Sequence, residues 1–131
     1  MRSAAPPSPA RPPALPIAIV DDDAGVRRAL RRLVGALRFE SVVFASDEEF
    51  LESLAFRRPA CVVMNLHLPG LNGIETLERL RDRDRSVPVI MMTGFDQAGV
   101  RERCLAAGAA AYIAKPVDGA ALTAALIGTQ P

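Results

Sequence analysis

From Leu15 onward, short apolar runs alternate with longer stretches in which apolar residues recur every three or four positions. The short runs are IAIV (17–20), SVVF (41–44), CVVM (61–64), VPVIMM (87–92) and AAYIA (110–114). Most are apolar at consecutive positions, so both faces need cover, as in parallel strands held between two helical layers. SVVF is short and suits an edge. In the first long stretch, Val26, Leu30, Leu33 and Leu37 share one helical face, with Arg27, Arg28, Arg31 and Arg32 on the other. Ser46 followed by Glu49 predicts a capping box that opens DEEFLESL. Ile74, Leu77 and Leu80 stripe a third helix, and Val100, Cys104 and Ala107 a fourth, which Gly108 ends. Asp118 caps the last helix, with Leu122 and Leu126 pointing inward. Strand and helix alternating five times predict an α/β fold, a doubly wound five-stranded parallel sheet.

Composition adds limits. At 131 residues the chain suits one domain with a single core. Sixteen Lys and Arg against fifteen Asp and Glu leave a net charge of +1, so no global field favours nucleic acid or an anionic membrane. No apolar run approaches the roughly 18 residues of a membrane span. The first sixteen residues, MRSAAPPSPARPPALP, hold six prolines and little to bury. Residues 1–15 are therefore expected to form a disordered tail and residues 16–131 the domain. Cys61 and Cys104 have no metal-ligand or redox spacing and are expected to be buried thiols of a cytoplasmic protein.

In a sheet of this kind ligands bind beyond the carboxyl ends of the strands. Those ends deliver Asp21, Asp22 and Asp23 after the first strand, Asn65 after the third, Thr93 and Gly94 after the fourth, and Lys115 and Pro116 after the fifth. Each residue alone has an ordinary structural use: a helix cap, a turn, a surface charge. Together they pair carboxylates that bind a hard cation such as Mg²⁺ with a hydroxyl and an ammonium suited to a phosphoryl group.

IVDDD, a strand ending before LPGLNG, then MMTG and YIAKP, in this order, resemble the receiver domain of bacterial two-component response regulators over residues 16 to about 127. The resemblance implies a flavodoxin-like (βα)5 fold with strand order 2-1-3-4-5, two helices on one face and three on the other. It implies that Asp21 and Asp22 hold Mg²⁺ together with the phosphoacceptor and the backbone carbonyl of His67. It implies that Thr93 and Lys115 contact the phosphoryl group and that Tyr112 changes rotamer with Thr93 as a switch. The implied partners are a histidine kinase or a phosphotransferase protein, which meets the first helix. The surface of helix four, strand five and helix five, made small and apolar by Ala109, Ala110 and Ala111, implies a weak homodimer. Nucleic acid and membrane are not expected partners.

One position departs from the family pattern. The phosphoacceptor is an Asp at the end of the third strand, where this chain has Asn65. A carboxylate attacks phosphorus to form an acyl phosphate, and a carboxamide lacks the anionic oxygen to do so. Phosphorylation is expected to be lost and Mg²⁺ binding weakened. Asn65 can instead donate a hydrogen bond, and Lys115 can pair with Asp21 or Asp22, so that the pocket satisfies itself. The protein then reads as a non-phosphorylatable form, a natural pseudo-receiver or a substituted one, that signals by binding and is not an enzyme. A substitute acceptor role for His67 is the weaker alternative. A rival class is the haloacid-dehalogenase-type phosphatase, Mg²⁺-dependent and using Asp21 and Asp23. Its Gly-Thr after D-x-D is missing, since Ala24-Gly25 follows here.

Overall fold

A computed structural model describes residues 15–68, 70 and 72–130, and the expected tail at 1–15 lies outside them apart from Leu15. The strands are β1 (Ile17–Val20), β2 (Ser41–Phe44), β3 (Cys61–Asn65), β4 (Val89–Thr93) and β5 (Ala111–Ala114). The helices are α1 (Ala24–Ala36), α2 (Asp47–Ser53), α3 (Gly73–Arg83), α4 (Val100–Ala106) and α5 (Gly119–Gly128). All strands run parallel, in the order β2-β1-β3-β4-β5.

The period-2 geometry of a strand sorts the core into two layers. Ala18, Val20, Val62, Met64, Val89 and Met91 point to one face and pack against Phe50, Leu51, Leu77, Leu80, Val100 and Cys104 of α2, α3 and α4. Ile17, Ile19, Cys61, Val63, Ile90 and Met92 point to the other and meet Leu30, Val34, Leu122 and Leu126 of α1 and α5. Two helices thus cover one face and three the other, as expected. β1, β3 and β4 are fully buried, and β2, at the edge, is half-buried along its length.

The differences from expectation are local. β4 begins at Val89, because Pro88 has no N–H to give to a ladder; its carbonyl still accepts the Val62 N–H at 2.9 Å. On α1 the deepest residues are Leu30 and Val34, with Val26, Leu33 and Leu37 partly buried around them. Ser46 caps α2 through the Glu49 N–H, but the Glu49 carboxylate turns to the Ala45 N–H at 3.2 Å, so the box is not reciprocal. Ala109 belongs to the core and Ala111 is half-buried, which leaves only Ala110 of that triplet exposed. Both cysteines are buried free thiols, and burial pushes the Cys61 thiol up to about 11.

Candidate functional site

Strand register brings the expected residues to one edge. Val20 pairs with Met64, so Asp21 and Asn65 leave neighbouring strands side by side. Asn65 pairs with Met92, and Thr93 with Ala114, one residue before Lys115. The Lys115 N–H donates to the Thr93 carbonyl at 2.6 Å, which continues the ladder into the site.

Asp21 is fully buried, and each of its carboxylate oxygens has a donor. The Asp23 N–H donates to Oδ1 at 2.9 Å, and the Lys115 ammonium donates to Oδ2 at 2.9 Å. Asp22 beside it is exposed. Asp23 is the α1 cap: its Oδ1 accepts from the Gly25 and Val26 N–H groups, and these bonds hold its carboxyl below the usual carboxylate range. Arg27, expected on the solvated face of α1, instead reaches back and donates to the Asp21 carbonyl at 2.7 Å.

Asn65, nearly buried, donates through Nδ2 to the His67 carbonyl at 2.8 Å. Past it, Gly70 sits at φ 86°, a left-handed conformation that favours glycine. A Cβ on Gly73 would stand 2.9 Å from the Leu66 Cα and 2.9 Å from the Met91 Sδ, so α3 can start this close to β3 only with glycine there. Asn72 caps α3 in a reciprocal capping box with Glu75. The Asn-Gly pair that reads as a turn in sequence is therefore a helix cap followed by a point of close packing.

Thr93 is buried, and its Oγ1 accepts the Phe95 N–H at 3.0 Å. Phe95, 63% exposed, has the His67 ring 6.3 Å away, centroid to centroid. Tyr112 is half-buried on β5, and its hydroxyl donates to Asp96 Oδ1 at 2.8 Å. Burial first, then the Asp96 carboxylate, push that phenol up to about 12. Arg27 and Asp96 are the contributors that sequence reasoning missed.

The oxygen donors at this edge are Asp21, Asp22, the Asn65 amide and the His67 carbonyl. They do not fit Mg²⁺ as arranged. An ammonium occupies Asp21 Oδ2, and the Asn65 amide N–H points at the carbonyl that would be a ligand. Among the described residues no three His, Cys, Asp or Glu side chains gather to hold a metal. The phosphatase reading gains nothing from this geometry, since Asp23 is spent as a cap and Asp21 is closed off.

The family description "Response regulator receiver domain" matches residues 17–127. The transcriptional regulatory protein FixJ of Bradyrhizobium diazoefficiens is 32% identical over 108 residues, 82% of this chain and 53% of FixJ. The DNA-binding transcriptional regulator NtrC of Escherichia coli is 30% identical over 100 residues, 76% of this chain and 21% of NtrC. The chain thus spans about half the length of FixJ and less of NtrC. A CheY-like receiver domain protein from Methanospirillum hungatei superposes with a TM-score of 0.82 at 27% identity, covering 88% of this chain and 92% of that one. The FixJ-N structure does so with a TM-score of 0.80 at 28% identity, over 88% and 92%. With the fold, the strand order and the sequence match in agreement, the chain belongs to the response regulator receiver domain family.

Proposed function

We propose that this receiver domain acts in two-component signalling without being phosphorylated, and that its output rests on protein–protein binding in the cytoplasm. Receiver domains are regulatory modules that interact with histidine kinases or phosphotransfer proteins. In this reading Asn65 stands where the phosphoacceptor Asp would be, Thr93 and Lys115 keep the places that contact a phosphoryl group, and Tyr112 keeps the switch position. The observation that carries it is the closed pair of bonds, Asn65 to the His67 carbonyl and Lys115 to Asp21. They satisfy the pocket from within and leave no carboxylate at the end of β3.

The partner surface in this reading is the basic outer face of α1. Arg28, Arg31 and Arg32 are exposed there. A cleft of about 280 Å³ lies alongside, lined by Val26, Ala29, Leu30, Lys115, Pro116 and Val117. It offers an apolar seat beside cationic groups, which suits an amphipathic helix carrying acidic residues. Nucleic acid is not part of the proposal, although FixJ and NtrC are named as transcriptional regulators.

Intact-mass spectrometry after treatment with acetyl phosphate and Mg²⁺ tests the reading. The Asn65 protein should gain no phosphate. Asn65→Asp should gain one that is stable in acid and labile in base, because Asp21, Asp22, Thr93 and Lys115 are already in place. Replacing the amide by a charged oxygen near the other two carboxylates should also tighten Mg²⁺ binding by about tenfold or more. Uptake of phosphate by the unaltered protein would overturn the proposal.

A further inference from the structure

A cavity of about 430 Å³ lies where α2 and α3 end, at the amino edge of the sheet and so opposite the Asn65 site. Leu54 and Ala55 follow α2, Arg58 precedes β3, Arg83 and Asp84 end α3, and Val87 precedes β4. Its volume falls within the range of small-molecule sites, about 300–1,000 Å³. Leu54 is half-buried and Ala55 exposed, so the apolar wall can be reached from solvent, and the buried Val87 backs it.

The polar wall is fixed by the protein itself. Arg58 Nε donates to Asp84 Oδ2 at 2.7 Å, and its Nη2 donates to Ser86 Oγ at 2.7 Å. Arg83 Nη1 donates to the Leu51 carbonyl of α2 at 2.7 Å. Asp84 has little left to offer a ligand. Its Oδ1 accepts the Ser86 N–H at 2.8 Å and the Ser86 hydroxyl at 2.6 Å, and its Oδ2 accepts Arg58. The Ser86 bonds, then the Arg58 bond, hold this carboxyl well below the usual carboxylate range, so it stays charged. Two guanidinium groups against one carboxylate leave the cavity one positive charge in excess. Among the described residues Arg83 has no ion-pair partner, and neither Arg58 Nη1 nor Arg83 Nη2 has an acceptor. Guanidinium edges held in place take a carboxylate through paired N–H bonds.

We propose that this cavity binds a small organic monoanion. Its carboxylate meets Arg58 and Arg83, and its apolar body lies on Leu54, Ala55 and Val87. A single negative charge matches the single excess positive one, and the apolar wall selects against an anion that has no hydrocarbon part. The site stands at the opposite edge from Asn65 and does not depend on the chemistry there.

Titration of the nitrogen-15-labelled full chain with 2-naphthoate, followed by two-dimensional NMR, tests this. The amides of Ala55 and Val87 should shift saturably, with a Kd of about 1 mM or below. The uncharged 2-naphthamide should bind about tenfold more weakly, since it lacks the charged partner of the guanidinium groups. Arg83→Gln should weaken naphthoate by about the same factor and leave naphthamide unchanged. Ala55→Leu, at an exposed position that the fold does not need, should weaken both by filling the cavity. Arg79→Gln removes a cation from α3 outside the cavity and should change neither. Amide signals of β1 and β3 that stay in place report an intact fold in each variant. Equal affinity for the acid and the amide overturns the proposal, as does a loss with Arg79→Gln as large as with Arg83→Gln. So do an absence of saturable shifts and shifts centred instead on Val26, Ala29 and Val117 beside α1.

Discussion

Tyr112 is the only tyrosine of a chain without tryptophan, so its ionisation can be followed alone by ultraviolet titration. Burial and the Asp96 carboxylate favour the neutral phenol and push it up to about 12 from an ordinary value of 10.0. A raised acid of this kind contributes stability that is fully present below pH 10.0 and is lost as the pH climbs through about 12. Asp96→Ala should lower the titration midpoint only part of the way, since burial, the larger cause, remains. A native phenol titrating at its ordinary value would mean that neither burial nor the Asp96 contact acts on it. The Asp21–Lys115 pair makes a second prediction. Lys115→Ala would leave a buried carboxylate without its counter-ion, a loss of about 3 kcal/mol that denaturant unfolding would read. The site's main residues were legible in the sequence because each ends a strand and strand ends share an edge. Arg27 and Asp96 were not. Arg27 fits the polar stripe of α1 by periodicity, and only the fold shows that its long side chain returns to β1. Asp96 lies in a loop, where no period announces a contact sixteen residues away.

At the level of elements, helix ends decide how the site is held. α3 begins where the Asn65 loop finishes, and its capping box satisfies two N–H groups at that junction. Asn72→Ala should destabilise the domain by about 1 kcal/mol. Ser46→Ala should cost less in the same measurement, because the bond it removes, from the Glu49 N–H to the Ser46 hydroxyl, is 3.2 Å long against 2.9 Å from the Glu75 N–H to Asn72 Oδ1. A larger loss at Ser46 than at Asn72 would contradict this ranking. The two boxes also show where local sequence reasoning stops. Ser46 with Glu49 has the expected residue types, yet the second bond shifts by one residue. Asn72 with Glu75 was hidden because Asn-Gly reads first as a turn. The strands were legible for a simple reason: both faces of a central parallel strand are buried, so an apolar run betrays it whatever the register. Only the ends blurred, at Pro88 and around Ala109–Ala111, where a missing N–H or a small side chain leaves burial to the tertiary fold.

For the whole molecule, charge is distributed unevenly over the two edges of the helical layers. α1 turns its arginines outward, so two copies meeting there would repel each other. α5, with the sequence GAALTAALIG, has no charged residue. Its outer face exposes Ala121, Ala124 and Ile127, the last at 59%, and α4 adds Leu105 at 40%. The α5 part of this surface is uncharged and so self-compatible under a two-fold axis, which requires each residue to meet the same patch on the partner, while α4 brings the exposed Arg101, Glu102 and Arg103. Alanines offer little area apiece, however, and a stable interface needs about 800 Å² from each partner. Sedimentation is therefore expected to show monomers at micromolar concentration, with dimers through the α4-β5-α5 surface appearing only well above it. Ile127→Glu places a charge on that face and meets its own copy across the axis. It should abolish the association in sedimentation equilibrium while leaving the unfolding transition in place, because the residue is already exposed. A tight dimer at micromolar concentration, or one that survives Ile127→Glu, would place the contact on another surface.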